Sequence, residues 1–234
     1  MNYYYHPNPT TNPVLSTEES SHAVKVLRKK VGDTIHLMDG KGGKYEAEIT
    51  DANFRKCAFR ITNHEQLMHT HAQVHMAIAP TKNIDRLEWF VEKACELGTA
   101  QITILLTQRT ERKKVNLERL EKKAISAMKQ SKNFWKCQID ELTPYESFVT
   151  QLESLATQSF IAYVETGQEE ALQTLIQPQK NTLILIGPEG DFTPEEVQTA
   201  VQHGATAVNL GSSILRTETA GIIAAHTFNL VNGR

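Results

Sequence analysis

Two kinds of hydrophobic pattern divide the chain. In the first third, short runs of β-branched and aromatic residues at 34–38, 44–49 and 57–62 alternate with turn-forming residues, after a helical pattern at 18–28. This arrangement predicts a small β-barrel or sandwich. Beyond it, continuous apolar runs alternate with amphipathic stretches, which is typical of an α/β domain with a mainly parallel sheet. We therefore expect two domains, at residues 1–72 and 73–234.

The second domain is predicted in more detail from the spacing of its apolar residues. Continuous apolar runs predict strands at residues 74–79, 101–106, 159–164, 182–187 and 207–211. Helical spacing predicts helices at residues 83–98, 116–130, 170–176 and 222–230. Thr193 and Glu196 have the spacing of a capping box, and Pro194 occupies the first helical position between them. A further helix therefore begins at Pro194, and Gly204 ends it.

Two glycine-containing loops follow successive strands of this domain. The first spans Gly187 to Gly190 and the second Gly211 to Glu218. Ligands of open α/β sheets bind at the carboxyl ends of strands, so these loops predict a ligand site. Neither loop has a GxGxxG or GxxxxGK[ST] pattern, and neither contains a lysine, which favours a ligand without phosphates. The alternative is that both loops are only tight turns.

Composition restricts the class of protein. Hydrophobic residues make up 40% of the 234 residues, as in globular proteins, and no apolar run approaches the ~18 residues of a membrane span. The first ten residues lack the basic and apolar regions of a signal peptide. The three cysteines, Cys57, Cys95 and Cys137, form no CxxC pair. We expect a cytoplasmic protein with reduced thiols and no membrane partner.

Charge is distributed unevenly, although the net charge is only −2. Residues 109–136 contain ten Lys or Arg against three Asp or Glu, a local charge of +7, whereas residues 137–200 carry −10. A basic face fits an RNA phosphate backbone, and a solvated helix beside an acidic segment is the alternative. The candidate phosphate contacts are Lys25, Arg28, Lys29, Arg109, Arg112, Lys113, Lys114, Lys123, Lys129 and Lys132.

Four motifs resemble those of the ribosomal RNA small-subunit methyltransferase E (RsmE) family, part of the SPOUT superfamily. They are LIGPEGDFTPEE at 185–196, LGSSILRTETA at 210–220, HAVKVLRKKVGD at 22–33 and RLEWFVEKACELG at 86–98. The resemblance extends over nearly the whole chain. Three positions depart from the family pattern: Asp191 replaces a usual glycine, Ser212 and Ser213 replace a common Pro-Arg pair, and Lys132 and Asn133 stand where an arginine is usual.

The resemblance implies a PUA-like β-barrel followed by a SPOUT α/β domain with a C-terminal trefoil knot. It also implies S-adenosylmethionine as cofactor, a homodimer that packs through the knot, and methylation of N3 of one uridine in 16S ribosomal RNA of the small subunit. Two alternatives stay open at this point. One is a SPOUT RNA methyltransferase with another target atom, such as a ribose 2′-hydroxyl. The other is a non-catalytic RNA-binding factor for ribosome assembly.

The same resemblance assigns the site. The predicted cofactor-binding residues are Ile186, Gly187, Glu189, Gly190, Leu210, Gly211, Ser213, Ile214, Leu215, Thr219 and Ala220. A uracil N3 must lose its proton to react, so negative charge develops on the ring, and the fixed cation of Arg216 is suited to stabilise it. We expect Glu218 to orient Arg216, and Glu189 to accept the proton or to bond loop amides. The alternative for Arg216 and Glu218 is an ion pair that caps a helix.

Histidines and tyrosines offer weaker signals. His69, His71 and His75 lie close in sequence, but a metal site needs three or four convergent ligands, so we expect no metal. The tyrosines at positions 3–5 suit base stacking on RNA, although an aromatic first strand in a small barrel is the favoured interpretation.

Overall fold

A computed structural model describes residues 2–164 and 169–233. Contacts within the chain divide it into two compact units. Unit 1 comprises Met1–Thr70 with Ile125–Lys136, and unit 2 comprises His71–Ala124 with Cys137–Arg234. The stretch Ile125–Lys136, which the sequence places in the second domain, thus groups with the N-terminal residues.

Unit 1 is built on a four-stranded sheet. Its strands are β1 (Tyr3–Tyr5), β2 (Thr34–Met38), β3 (Gly43–Asp51) and β4 (Ala58–Gln66), in the order β1-β2-β3-β4. Helix α1 (Thr17–Ser21) continues as a π-helical turn at His22–Val26. Along β3, burial alternates with period two, which directs Tyr45, Ala47 and Ile49 into the core. The three predicted strands are present, and the tyrosines at positions 3–5 form the predicted first strand.

Unit 2 has a six-stranded parallel sheet in the order β10-β8-β9-β5-β6-β7, which confirms the predicted α/β class. The strands are β5 (Val74–Ile78), β6 (Gln101–Leu106), β7 (Gln138–Pro144), β8 (Gln158–Ala162), β9 (Thr182–Ile186) and β10 (Ala205–Val208). The helices are α2 (Ile84–Glu96), α4 (Tyr145–Val149), α5 (Leu152–Leu155), α6 (Leu172–Leu175), α7 (Pro194–Gln202) and α8 (Thr217–Val231). Helix α3 (Leu117–Ser131) contributes residues to both units.

Some elements differ from the sequence prediction. Strand β7 and helices α4 and α5 were not predicted, because β7 is a half-exposed edge strand with mixed polar residues and the two helices are very short. The predicted helix at 170–176 is a single turn. Helix α8 begins at Thr217 instead of residue 222, and β10 ends at Val208, so the loop between them is residues 209–216.

The order of the strands places the end of β8 between the ends of β9 and β10, so the loop after β8 lies at the same edge of the sheet as the two glycine loops. Strands β9 and β10 follow one another in sequence but are not neighbours, because β8 lies between them. After β10, at the edge of the sheet, the chain returns and α8 packs against β5, β9 and α2. Gly221 permits this close approach, since a Cβ there would clash with Cε2 of Phe90.

A buried histidine at the other end of the sheet predicts acid sensitivity. His75 is 7% exposed, and its Nε2 lies 2.8 Å from Oγ1 of Thr103, which donates to Asp140. Burial lowers the pKa of His75 to about 4, although the charge of Asp140 acts in the opposite direction. The unfolded chain therefore binds more protons between the unfolded pKa near ~6.5 and about 4, and stability is lost as pH falls through that window.

We expect the free energy of unfolding to fall by about 2 kcal/mol between pH 7 and pH 4.5 through this one group. Urea unfolding of the wild type and of His75→Asn across that range measures the effect. The variant should show a flatter dependence on pH. Equal slopes in the two proteins would mean that His75 does not cause the acid loss.

Candidate cofactor and RNA site

A cavity of about 530 Å³ lies at the carboxyl ends of β8, β9 and β10. Three loops line it: the residues after β8, the loop after β9 and the loop after β10. Every predicted cofactor-binding residue except Thr219 is among the lining residues that the structure describes, and Arg216 lines the cavity as well. The two glycine loops thus meet in one cavity, although their strands are not adjacent.

The loop after β9 is shaped by local hydrogen bonds. Space at Gly187 is tight, since a Cβ there would lie 3.1 Å from both Oδ1 of Asp191 and atoms of Phe192. Asp191 has a φ of +60°, and its Oδ1 accepts a hydrogen bond of 2.8 Å from the Phe192 amide. Aspartate tolerates this left-handed conformation better than most residues, which explains how it replaces the usual glycine. The predicted capping box of Thr193 and Glu196 is present at the start of α7.

The loop after β8 was missed at the sequence level. Ala162, Tyr163 and Val164 line the cavity, yet their sequence looks like the end of a buried strand. The backbone amide of Tyr163 donates to the carbonyl of Val208 at 3.0 Å, which ties this loop to β10. Only the order of strands, which is a non-local property, indicates that this segment meets the glycine loops.

Arg216 occupies an unusual position for a cation. It is the N-cap of α8, is exposed, lines the cavity and makes no side-chain capping hydrogen bond. Its carbonyl accepts the first helical hydrogen bond, from the Ala220 amide at 2.8 Å. Helix N-termini favour anions and small polar caps, so an arginine there is unfavourable for helix stability. The stability of α8 therefore does not account for an arginine at this position.

Glu218 has another partner than expected, whereas Glu189 has one of its two expected roles. Oε1 of the buried Glu218 lies 3.7 Å from Nε of Arg86, and no ion pair joins Glu218 to Arg216 within residues 2–164 and 169–233. Glu218 points from the first turn of α8 toward α2, which explains why it does not reach Arg216. Glu189 is exposed, and its Oε1 accepts a hydrogen bond of 2.9 Å from the Lys82 amide. Glu189 therefore bonds a loop amide, one of its two expected roles.

The RNA-contact candidates of unit 1 make several local contacts. Nζ of Lys25 lies 3.9 Å from the centroid of the Phe54 ring, and Nζ of Lys29 donates to the Thr34 carbonyl at 3.0 Å. Arg28 and Lys132 are exposed and have φ angles of +54° and +56°. Lys129, by contrast, forms an ion pair of 2.6 Å with the buried Glu19.

The candidates of unit 2 differ in their contacts. The guanidinium groups of Arg109, which is exposed, and Arg112, which is half-buried, donate to backbone carbonyls. Lys113 and Lys114 are exposed. Lys123 lies 3.6 Å from Glu92. Lys113 and Lys114 are therefore the two residues of this group best placed to contact a phosphate.

The predicted absences concern metals and membranes. His69 packs edge-on against Trp135 with ring centroids 4.8 Å apart, while His75 bonds Thr103 in the interior. Within the described part of the chain, no group of three potential metal ligands converges. None of the described helices is both long and apolar enough to cross a membrane.

The fold and the cavity define an RNA methyltransferase. A family model described as an RNA methyltransferase domain matches residues 68–229, and one described as an RNA methyltransferase PUA domain matches residues 15–62. Within this class, the chain belongs to the family of ribosomal RNA small subunit methyltransferase E. A member from Rickettsia conorii is 30% identical over 214 residues, which cover 90% of this chain and 86% of the relative.

Solved structures agree with this family. A probable rRNA-methyltransferase from Porphyromonas gingivalis superposes with a TM-score of 0.94 at 34% identity, covering 100% of this chain and 99% of the other. A ribosomal RNA small subunit methyltransferase E from Neisseria gonorrhoeae, bound to S-adenosyl methionine, gives a TM-score of 0.88 at 25% identity, covering 99% and 98%. The predicted α/β fold with a parallel sheet and a PUA-like first part is thereby confirmed.

Proposed function

We propose that this protein uses S-adenosylmethionine to methylate N3 of one uridine in 16S ribosomal RNA of the small subunit. The observation that carries the proposal is the cavity at the ends of β8, β9 and β10, with Arg216 at its wall. Family membership and the cofactor bound by the Neisseria gonorrhoeae relative support the reaction class. The choice of N3 rests on the chemistry of Arg216.

The cavity fits the proposed cofactor. Its volume lies within the roughly 300–1,000 Å³ that small-molecule sites occupy. Its described lining residues include no lysine, which suits a ligand without phosphates, and apolar side chains such as Leu210 and Leu215 can contact an adenine. When bound, S-adenosylmethionine supplies an electrophilic methyl group. The glycine loops hold it with backbone groups, and the tie between Glu189 and Lys82 keeps the loop after β9 in position.

Arg216 provides the chemistry on the RNA side. When uracil N3 gives up its proton, negative charge spreads to the neighbouring oxygens, and a fixed guanidinium lowers that barrier. Arginine stays charged and offers several donors in one plane, so it suits two oxygens on one ring. Glu218 acts indirectly, because a carboxylate in the first turn of α8 offsets the unfavourable cation at its N-terminus.

We also propose that the chain forms a trefoil knot and that two copies form a homodimer through this knot. We further propose that the enzyme is cytoplasmic. The return of the chain from edge strand β10 to the middle of the sheet supports the knot. Apolar side chains on unit 2 support the dimer, since Ile214 is 90% and Leu230 63% exposed. Three buried free thiols are compatible with a reducing compartment.

Product analysis tests the reaction. The protein is incubated with small ribosomal subunits that lack the modification and with labelled S-adenosylmethionine, and the RNA is then digested to nucleosides. We expect label in 3-methyluridine. A ribose-methylated nucleoside would replace our proposal with the 2′-hydroxyl alternative. The absence of any labelled nucleoside, in a protein that binds S-adenosylhomocysteine, would favour an assembly factor.

Charge reversal tests the RNA surface. We expect Lys113→Glu with Lys114→Glu to weaken binding to small subunits about tenfold at moderate salt and to reduce the slope of log affinity against log salt by about 2, because phosphate neutralisation releases counterions. Lys180→Glu is the matched control, because it reverses the charge of an exposed lysine just before the amino end of β9. If the double variant binds RNA like the control, these lysines form only a solvated face.

A further inference from the structure

We propose that Arg109 and Arg112 are positioning residues that hold the wall of the cofactor cavity, rather than contacts to RNA phosphates. This inference rests on the proposed function, because it concerns the cavity assigned to S-adenosylmethionine. Both residues belong to the β6–α3 segment, defined as residues 107–112, which follows β6. Neither is among the described residues that line the cavity.

A turn with a buried hydroxyl pair fixes the start of the β6–α3 segment. Thr107 and Thr110 are both buried, and their Oγ1 atoms lie 2.8 Å apart. The Thr107 amide donates to Oγ1 of Thr110 at 3.0 Å, and the Thr110 amide donates to the Thr107 carbonyl at 3.2 Å. Gln108 and Arg109 form the exposed tip of this turn. The backbone position of Arg109 is therefore set by its own segment.

Arg109 reaches directly to the loop after β9. Its Nη1 donates to the Gly190 carbonyl at 2.7 Å and to the Phe192 carbonyl at 3.2 Å. Beside it, the Gln108 amide donates to Oε1 of Glu196 at 2.8 Å, and Glu196 belongs to the capping box of α7. Hydrogen bonds from a cation are stronger than neutral ones. Hydrogen bonds from Arg109, which lies outside the cavity, thus hold the loop that carries Gly190 in the cavity wall.

Arg112 fastens the same loop through an intermediate. Its Nε donates to the Thr81 carbonyl at 3.1 Å and its Nη2 to the Lys82 carbonyl at 2.6 Å. The Lys82 amide in turn donates to Oε1 of Glu189, which lines the cavity. Nζ of Lys82 also lies 2.9 Å from Oε2 of Glu111, which joins the two segments a second time. One short segment therefore holds Glu189 and Gly190, two consecutive residues of the cavity wall.

These contacts occupy two of the five N–H donors of each arginine. Nη1 of Arg109 serves two carbonyls, and Nε and Nη2 of Arg112 serve two more. A phosphate contact through the same atoms would release the loop from its support. Charge density in the sequence suggested RNA for both arginines, but the Arg109 side chain bonds carbonyls of the loop after β9, and the Arg112 side chain bonds the carbonyls of Thr81 and Lys82.

Cofactor affinity tests the assignment. We expect Arg109→Ala to weaken binding of S-adenosylhomocysteine about tenfold by calorimetry, given the usual contribution of hydrogen bonds from charged groups. Arg112→Ala should weaken it less, because Arg112 acts through Lys82. Arg109→Lys should restore part of the loss, since one donor still reaches the Gly190 carbonyl. Lys180→Ala, which removes an exposed cation at the opposite end of β9, should match the wild type.

Kinetics and RNA binding complete the test. In Arg109→Ala we expect the KM for S-adenosylmethionine to rise while kcat at saturating cofactor stays within about threefold, and affinity for small subunits to be unchanged. A lower melting temperature with normal cofactor affinity would make Arg109 a purely structural brace and overturn the inference. Weaker RNA binding with normal cofactor affinity would show instead that Arg109 contacts an RNA phosphate. If the wild type itself does not bind S-adenosylhomocysteine, the proposed function fails instead.

Discussion

Arg216→Ala should lower the rate of methylation by roughly 10²–10³ while leaving cofactor affinity nearly intact. The rate falls because removal of one preorganised donor at a developing charge costs about that much. Affinity survives because backbone groups and apolar side chains of the cavity hold the cofactor. The measurement is single-turnover methylation of small ribosomal subunits, with the affinity for S-adenosylhomocysteine determined by calorimetry on the same variant.

The position of Arg216 at the N-terminus of α8 gives this prediction a second readout. A cation there opposes the helix dipole, so its removal should leave the free energy of unfolding unchanged or raise it by about 0.3–1 kcal/mol. Arg216→Lys keeps the charge without the planar array of donors and should recover only part of the rate. A variant that loses melting temperature and cofactor affinity, yet methylates normally at saturating cofactor, would make Arg216 a brace between loop and helix.

Local sequence signals predicted the parts of this site that depend on local structure. The capping box of Thr193 and Glu196, the two glycine loops and the parallel α/β class all follow from short-range patterns, and the structure contains them. The loop after β8 depends instead on strand order, since β8 lies between β9 and β10. No periodicity encodes that order, so the contribution of Tyr163 to the cavity was not predictable from spacing.

Charge counts were a weaker guide than motifs. They identified residues 109–136 as basic but did not separate Lys113 and Lys114, which are exposed, from Arg109 and Arg112, whose side chains bond loop carbonyls. The partner of a long flexible side chain is decided by tertiary contacts. The same reason explains Glu218, for which the sequence suggested Arg216 and the structure provides Arg86.

Gly211→Val should weaken binding of S-adenosylhomocysteine roughly 10- to 100-fold. Gly211 has a φ of +121°, a conformation that side chains rarely adopt, and it lines the cavity between Leu210 and Ser213. No described atom lies within 4 Å of a Cβ built there, so backbone strain rather than a clash within the chain carries the effect. Strain of about 1–3 kcal/mol, released only when the loop changes shape, corresponds to that loss of affinity.

Gly32→Val provides a control matched for strain. Gly32 has a φ of +90°, also has open space at its Cβ position, and belongs to unit 1. Both variants should lose similar stability in urea unfolding, but only Gly211→Val should lose cofactor affinity. If both bind S-adenosylhomocysteine like the wild type while folded, the loop after β10 does not hold the cofactor and the site must lie elsewhere. If both lose affinity equally, the loss reflects general destabilisation, and the conformation of Gly211 has no specific role in binding.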